Sequence, residues 1–160
     1  MKKIDLLLNE YGESHQNKIN KLIHWICVPN IFFSIIGMVW CIPDSFLDEF
    51  FNKDLQPYIN WATLSLCLVL VYYIMLSIML AIGMGVFSCI CIYIAKIIHS
   101  NYDDLLLFIS IGIFITAWIF QFIGHNIEGK KPSFFKDIQF LLIGPSWLLH
   151  FIYKKLRISY

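Results

Sequence analysis

An all-α integral membrane helical bundle is predicted, with about four transmembrane helices and interfacial helices at both its N-terminal and C-terminal ends. Three observations predict it. Hydrophobic residues make up 59% of the chain and charged ones only 14%, against about 25% charged in soluble proteins. The apolar runs have lengths near the ~20 residues that cross a hydrocarbon layer about 30 Å thick. The segments between them differ in basic charge, which orients them. A mean hydropathy of +0.69 leaves too little polar surface to face water on all sides. The 160 residues suit one domain, 1–160.

Residues 1–21 mix charges with apolar positions Ile4, Leu7, Leu8, Tyr11 and Ile19, a pattern for one or two amphipathic helices lying on a membrane surface. Asn9, Glu10 and Gly12 mark a break. Leu22 to Ile42 carries no ionisable group other than His24 and the thiols, and reads as the first span, with Pro29 near its start. The acidic segment 43–58 follows. Trp61 to Ile98 is too long for one crossing at 1.5 Å per residue, so the chain is expected to turn at Gly83-Met84-Gly85. A polar patch from Lys96 to Asp104 precedes a further span, Leu105 to Ile123. The last apolar stretch, Ile138 to Tyr153, is interrupted by Gly144-Pro145 and followed by Lys154, Lys155 and Arg157, so it is expected to lie in the interface or to dip in and return.

Basic residues favour the cytoplasmic side. Lys18, Lys21, Lys130, Lys131 and Lys136 therefore place both termini there, along with His15, His24, His125 and Glu128, while His99 falls on the opposite side. A net charge of +1 without a clustered basic face gives no reason to expect a nucleic-acid partner. Cys27, Cys41, Cys67, Cys89 and Cys91 all lie in apolar surroundings and read as packing residues. The first apolar run, Leu6 to Leu8, is too short for a signal-peptide core, so an uncleaved chain is expected.

The chemistry concentrates where apolar runs end. His125 and Glu128, three residues apart, share a helical face, flanked by Gly124 and by Gly129 and Pro132, where the backbone can turn. Tyr11 and His15 share a face, as do Asn20 and His24, but on an unbroken helix about 140° separates His15 from Asn20. Aiming both histidines at one ion therefore needs a break near Gln16 to Ile19 or a second wall of ligands. Two or three imidazoles with a carboxylate and open positions suit non-haem Fe(II). Zinc accepts the same donors, and bis-His haem ligation is a third possibility, disfavoured by the placement of the histidines at span ends. A site at this level favours a substrate that keeps its tail in the bilayer.

The pattern Tyr11-x3-His15-x4-Asn20-x3-His24 with Val28-Pro29, then Trp118-x2-Gln121-x2-Gly124-His125-x2-Glu128-Gly129-Lys130-x-Pro132 and Gly144-Pro145, resembles the Mpo1-like family. The resemblance implies an Fe(II)-dependent dioxygenase that removes one carbon from long-chain 2-hydroxy fatty acids with O2, the α-oxidation step used in phytosphingosine breakdown in yeast. It implies His15, His24 and His125 as metal-binding histidines, with Tyr11, Asn20, Gln121 and Glu128 in support. Glu128 would be a ligand or would orient one. A carboxylate and adjacent hydroxyl can chelate an ion, and Lys130 and Lys131 would attract that carboxylate. The implied setting is membrane lipid, the cytoplasmic membrane of a bacterium or the endoplasmic reticulum of a eukaryote.

Blander readings stand beside these. A single interfacial histidine is usually structural, and His99 and His150 are read so. Lys130, Lys131 and Lys136 serve orientation before they serve substrate. Trp40, Trp61, Trp118 and Trp147 fit aromatic belts or span interiors. The alternative function is a non-enzymatic membrane scaffold whose polar residues only hold helices together.

Overall fold

Seven helices and no strands make up the described part of the computed structural model, which covers residues 2–52, 58–102, 105–129 and 137–159. They are α1 (Lys3–Glu13), α2 (Lys18–Trp40), α3 (Ser45–Asp48), α4 (Trp61–Leu76), α5 (Ile78–Tyr102), α6 (Leu105–Glu128) and α7 (Asp137–Leu156). Among the described residues α2, α5 and α6 are long and apolar enough to cross a membrane, whereas α4 is equally apolar but has 16 residues. Their surfaces match that role. Leu68, Met75 and Phe108 are more than two-thirds exposed while Asn20, Ser34 and Ser110 are fully buried. Apolar groups facing out and polar groups holding helices together is what lipid as solvent demands.

The helix pair that carries the site is α2 with α6, the largest contact in the molecule. The two run antiparallel: Gly37 near the end of α2 meets Ser110 near the start of α6, and Asn20 at the start of α2 meets Gly124 near the end of α6. At both points a Cβ on the glycine would collide with the facing polar side chain, so the missing side chain is what lets the helices approach. Gly124 thus serves packing rather than a turn. Helix α6 continues through the whole His125 to Glu128 segment, and the chain leaves it at Gly129, whose φ of 73° is the left-handed conformation that ends helices.

Several expected boundaries lie elsewhere. The apolar stretch from Trp61 breaks at Ser77, not at Gly83-Met84-Gly85. Ser77 is extended, and its hydroxyl accepts from the Leu80 N–H at 3.4 Å, so it caps α5. Gly83 lies inside α5, where a Cβ would run into Tyr153 and Leu149 of α7. Pro29 sits in the middle of α2 rather than in its first turn, because α2 begins at Lys18; the Asn30 amide donates to the Ile26 carbonyl at 2.7 Å beside the gap that a proline leaves in the helical ladder. Helix α7 runs unbroken through Pro145, and the Tyr73 hydroxyl of α4 donates to the Leu142 carbonyl at 2.6 Å in the turn that the proline disturbs. Segment 43–58 contains the short α3.

Helix α1 is amphipathic as expected, but it continues past Asn9, Glu10 and Gly12, and its buried face packs on protein. Ile4, Leu7, Leu8 and Tyr11 lie against Ile143, Trp147 and Leu148 of α7. Burying an aliphatic side chain of this size contributes about 1.5–3 kcal/mol, enough for four positions to dock a short helix firmly. The consequence is positional: the chain between α1 and α2, residues 14–17, is held over the end of the α2/α6 pair.

Candidate metal centre

That interruption turns His15 and His24 toward each other. Asn17 caps α2, its side-chain oxygen accepting the Ile19 N–H at 2.8 Å, and the new helix starts in a direction that removes the angular offset of a continuous one. Ring centroids are 4.2 Å apart for His15 and His24, 5.3 Å for His15 and His125, and 5.0 Å for His24 and His125. The rings cross at 77°, 67° and 81°, so they do not stack. One ring nitrogen of each lies within 4.8 Å of the others, which makes a group able to hold a metal ion.

Backbone carbonyls set two of the tautomers. The Nδ1 of His15 lies 2.6 Å from the Tyr11 carbonyl, and the Nδ1 of His24 lies 2.9 Å from the Asn20 carbonyl. A carbonyl only accepts, so each Nδ1 carries the proton and each Nε2 presents a lone pair. The first acceptor is available because Tyr11 belongs to the last turn of α1, whose carbonyls lack helical partners. Tyr11 also stacks on His15, centroids 4.2 Å apart and planes inclined by 11°, and Trp147 approaches both rings at 5.3 Å. Burial pushes the His15 pKa down to about 4, aided by nearby His125, so its imidazole is neutral at physiological pH, the form that ligates metals.

Glu128 is occupied elsewhere. Its Oε1 accepts the Gln16 N–H at 2.8 Å, and its Oε2 accepts the Asn17 N–H at 2.9 Å and the Asn20 amide at 3.0 Å. The Asn20 amide also donates to the Ser14 carbonyl at 3.2 Å. A carboxylate on α6 therefore ties down the interruption between α1 and α2, and with it the backbone that carries His15. Glu128 is absent from the converging ligand set. Its role in this geometry is to hold that set in place.

The unpaired ring nitrogens of the site suit a metal. Nε2 of His15 and Nδ1 of His125 are buried with no hydrogen-bond partner among the described residues, a costly state for a ring nitrogen. A cation between the three rings satisfies it, so the donor set fits. Gln121 is buried on α6 one turn before His125. Lys130, Lys131, Pro132 and Lys136 lie outside the described residues. His99 falls at the far end of the pair, 6.4 Å from the Trp40 ring that ends α2. Trp147, read from sequence as a belt or span-interior residue, walls the site beside His15; it stands three residues after Gly144, where a Cβ would crowd the Tyr11 hydroxyl.

The chain matches the family described as "2-hydroxy-palmitic acid dioxygenase Mpo1-like" over residues 1–156. It is 31% identical over 150 residues to the 2-hydroxy-palmitic acid dioxygenase MPO1 of Saccharomyces cerevisiae (strain ATCC 204508 / S288c), covering 92% of this chain and 78% of the relative. No solved structure matches it. A family match over residues 1–156 and 31% identity to the yeast relative lead to one conclusion: the chain belongs to the Mpo1-like family.

Proposed function

We propose that this protein is an Fe(II)-dependent dioxygenase, acting as a single domain, that shortens long-chain 2-hydroxy fatty acids by one carbon at the cytoplasmic side of a membrane. The observation that carries the reading is the convergence of His15, His24 and His125, from three separate stretches, to within 4.8 Å. The named activity of the yeast relative supports the substrate class. In the balanced reaction a 2-hydroxy acid and O2 give the acid one carbon shorter, CO2 and water. Iron held by the three imidazoles would supply the redox chemistry with O2 that oxidises C2.

The chain's own residues supply position. Tyr11 and Asn20 carbonyls keep Nε2 of His15 and His24 free of protons. Glu128 and Asn20 hold the turn from which His15 projects. Tyr11 and Trp147 pack around His15 and restrict water there. The apolar helices keep the acyl tail in lipid while its head reaches the site.

The test is anaerobic purification of the full chain, metal analysis, and incubation of the iron-loaded protein with 2-hydroxypalmitate and O2. Stoichiometric iron and the C15 acid are expected. His125→Ala should lose both iron and turnover. A protein that retains no metal and releases no shortened acid would be a scaffold, and the proposal would fall.

A further inference from the structure

A cleft of about 360 Å³ has His15, one of the three converging histidines, in its wall. It lies between α1, the start of α2, and α7. Lys21 and His150 line it together with Trp147 and Phe151. The two kinds of wall differ in chemistry. Lys21, next in sequence to Asn20, brings an ammonium group within the same cleft as His15 and is half-buried. Among the described residues no carboxylate forms an ion pair with it. Glu13 also lines the cleft but is exposed, at the outer end of α1. Trp147 and Phe151 pack edge to face at 4.8 Å, and Phe151 meets Trp25 at 6.3 Å. Trp25 is 39% exposed on α2, so an aromatic path leads from the cleft to the outer, lipid-facing surface.

We propose that Lys21 is the specificity-determining residue that receives the substrate carboxylate, in a cleft whose aromatic wall of Trp147, Phe151 and Trp25 guides the acyl chain out to lipid. The proposal rests on the 2-hydroxy acid reading above and adds the residue that selects an acid. A half-buried ammonium without a partner is stabilised by an incoming anion, and a charge-assisted contact discriminates strongly against a neutral analogue. Lys21 touches the substrate's carboxylate and is not one of the three imidazoles that would hold the ion. A lysine serving only membrane orientation would not influence affinity for one head group.

The test compares wild type, Lys21→Gln and Lys21→Arg as full chains. Affinity for 2-hydroxypalmitate and for its methyl ester is measured on zinc-loaded protein, which does not turn over, and KM and kcat on iron-loaded protein. Lys21→Gln is expected to bind the acid about tenfold more weakly and the ester unchanged, to raise KM with kcat and iron content preserved, and Lys21→Arg to recover most of the affinity. Equal affinity of wild type and Lys21→Gln for the acid overturns the assignment, as does an equal loss for acid and ester. If wild-type protein binds the acid through Lys21 yet never shortens it, the failure belongs to the dioxygenase reading alone.

Discussion

At the scale of single residues, the site depends on side chains that never need to touch an ion. Glu128 accepts three N–H groups with its two oxygens. In Glu128→Gln one oxygen becomes a donor, so at least one N–H of the turn at residues 14–17 loses its acceptor, at about 1–3 kcal/mol. Iron affinity should fall without vanishing and thermal stability should drop, in contrast to His125→Ala, which should lose iron outright; metal titration and unfolding curves of the two variants separate these roles. His15 carries a pH dependence of stability. Its pKa is about 4 in the folded chain and ordinary, near 6.5, in the unfolded one. The unfolded state therefore takes up the proton first as pH falls. Stability of metal-free protein should be fullest above pH ~6.5 and decline toward pH ~4, and His15→Gln should show a smaller decline in thermal unfolding between pH 7.5 and 5. Much of this was legible in sequence: Tyr11, His15, Asn20, His24, Gln121, His125 and Glu128 stand out by spacing and by family pattern. What the two oxygens of Glu128 bind was not legible, since backbone N–H groups leave no mark on residue identity.

Glycine and proline mislead at the scale of elements when they are read only as breakers. Gly83-Met84-Gly85 looks like a corner because two glycines close together favour a turn, yet both lie within α5 and the chain breaks at Ser77. The deciding effects are a serine that caps the next helix and a facing helix that needs room. These two glycines should respond oppositely to alanine. At Gly83 a Cβ would strike Tyr153 and Leu149, whereas at Gly85 the nearest atom is Leu70 Cδ2 at an ordinary 3.6 Å. Gly83→Ala should destabilise the docking of α7 on α5, while Gly85→Ala should be neutral or stabilise by about 0.5–1 kcal/mol, the intrinsic cost of glycine inside a helix. Thermal melts in one detergent decide it. If a turn were present, both substitutions would be harmful. Pro145 teaches the same lesson, since a tyrosine from α4 donates to the Leu142 carbonyl in the turn before it, and no local pattern around Pro145 announces Tyr73.

For the whole molecule, the sequence pattern carried the polarity and only folding could carry the convergence. Basic residues put Lys18 and Lys21 at one end of the first span, and the apolar run lengths put His99 at the other. The antiparallel pairing of α2 and α6 reproduces that separation, with His24 and His125 at one end and Trp40 beside His99 at the opposite one. A helix of 23 residues, at 1.5 Å each, is about 35 Å long, enough to put its ends in different aqueous compartments. The polar interior and apolar exterior of α2, α5 and α6 suit helices that stand across a bilayer better than helices along its surface. Gln16 and Asn101 are exposed at these two ends, so each can be replaced by cysteine without entering the core. In sealed vesicles of known orientation, a membrane-impermeant maleimide should label Gln16→Cys only from the cytoplasmic side and Asn101→Cys only from the other, with Cys67 and Cys89 shielded in lipid. Labelling of both from one side would mean that the helices lie in the interface, and the histidine cluster would then sit at a depth that gives a lipid head no preferred approach.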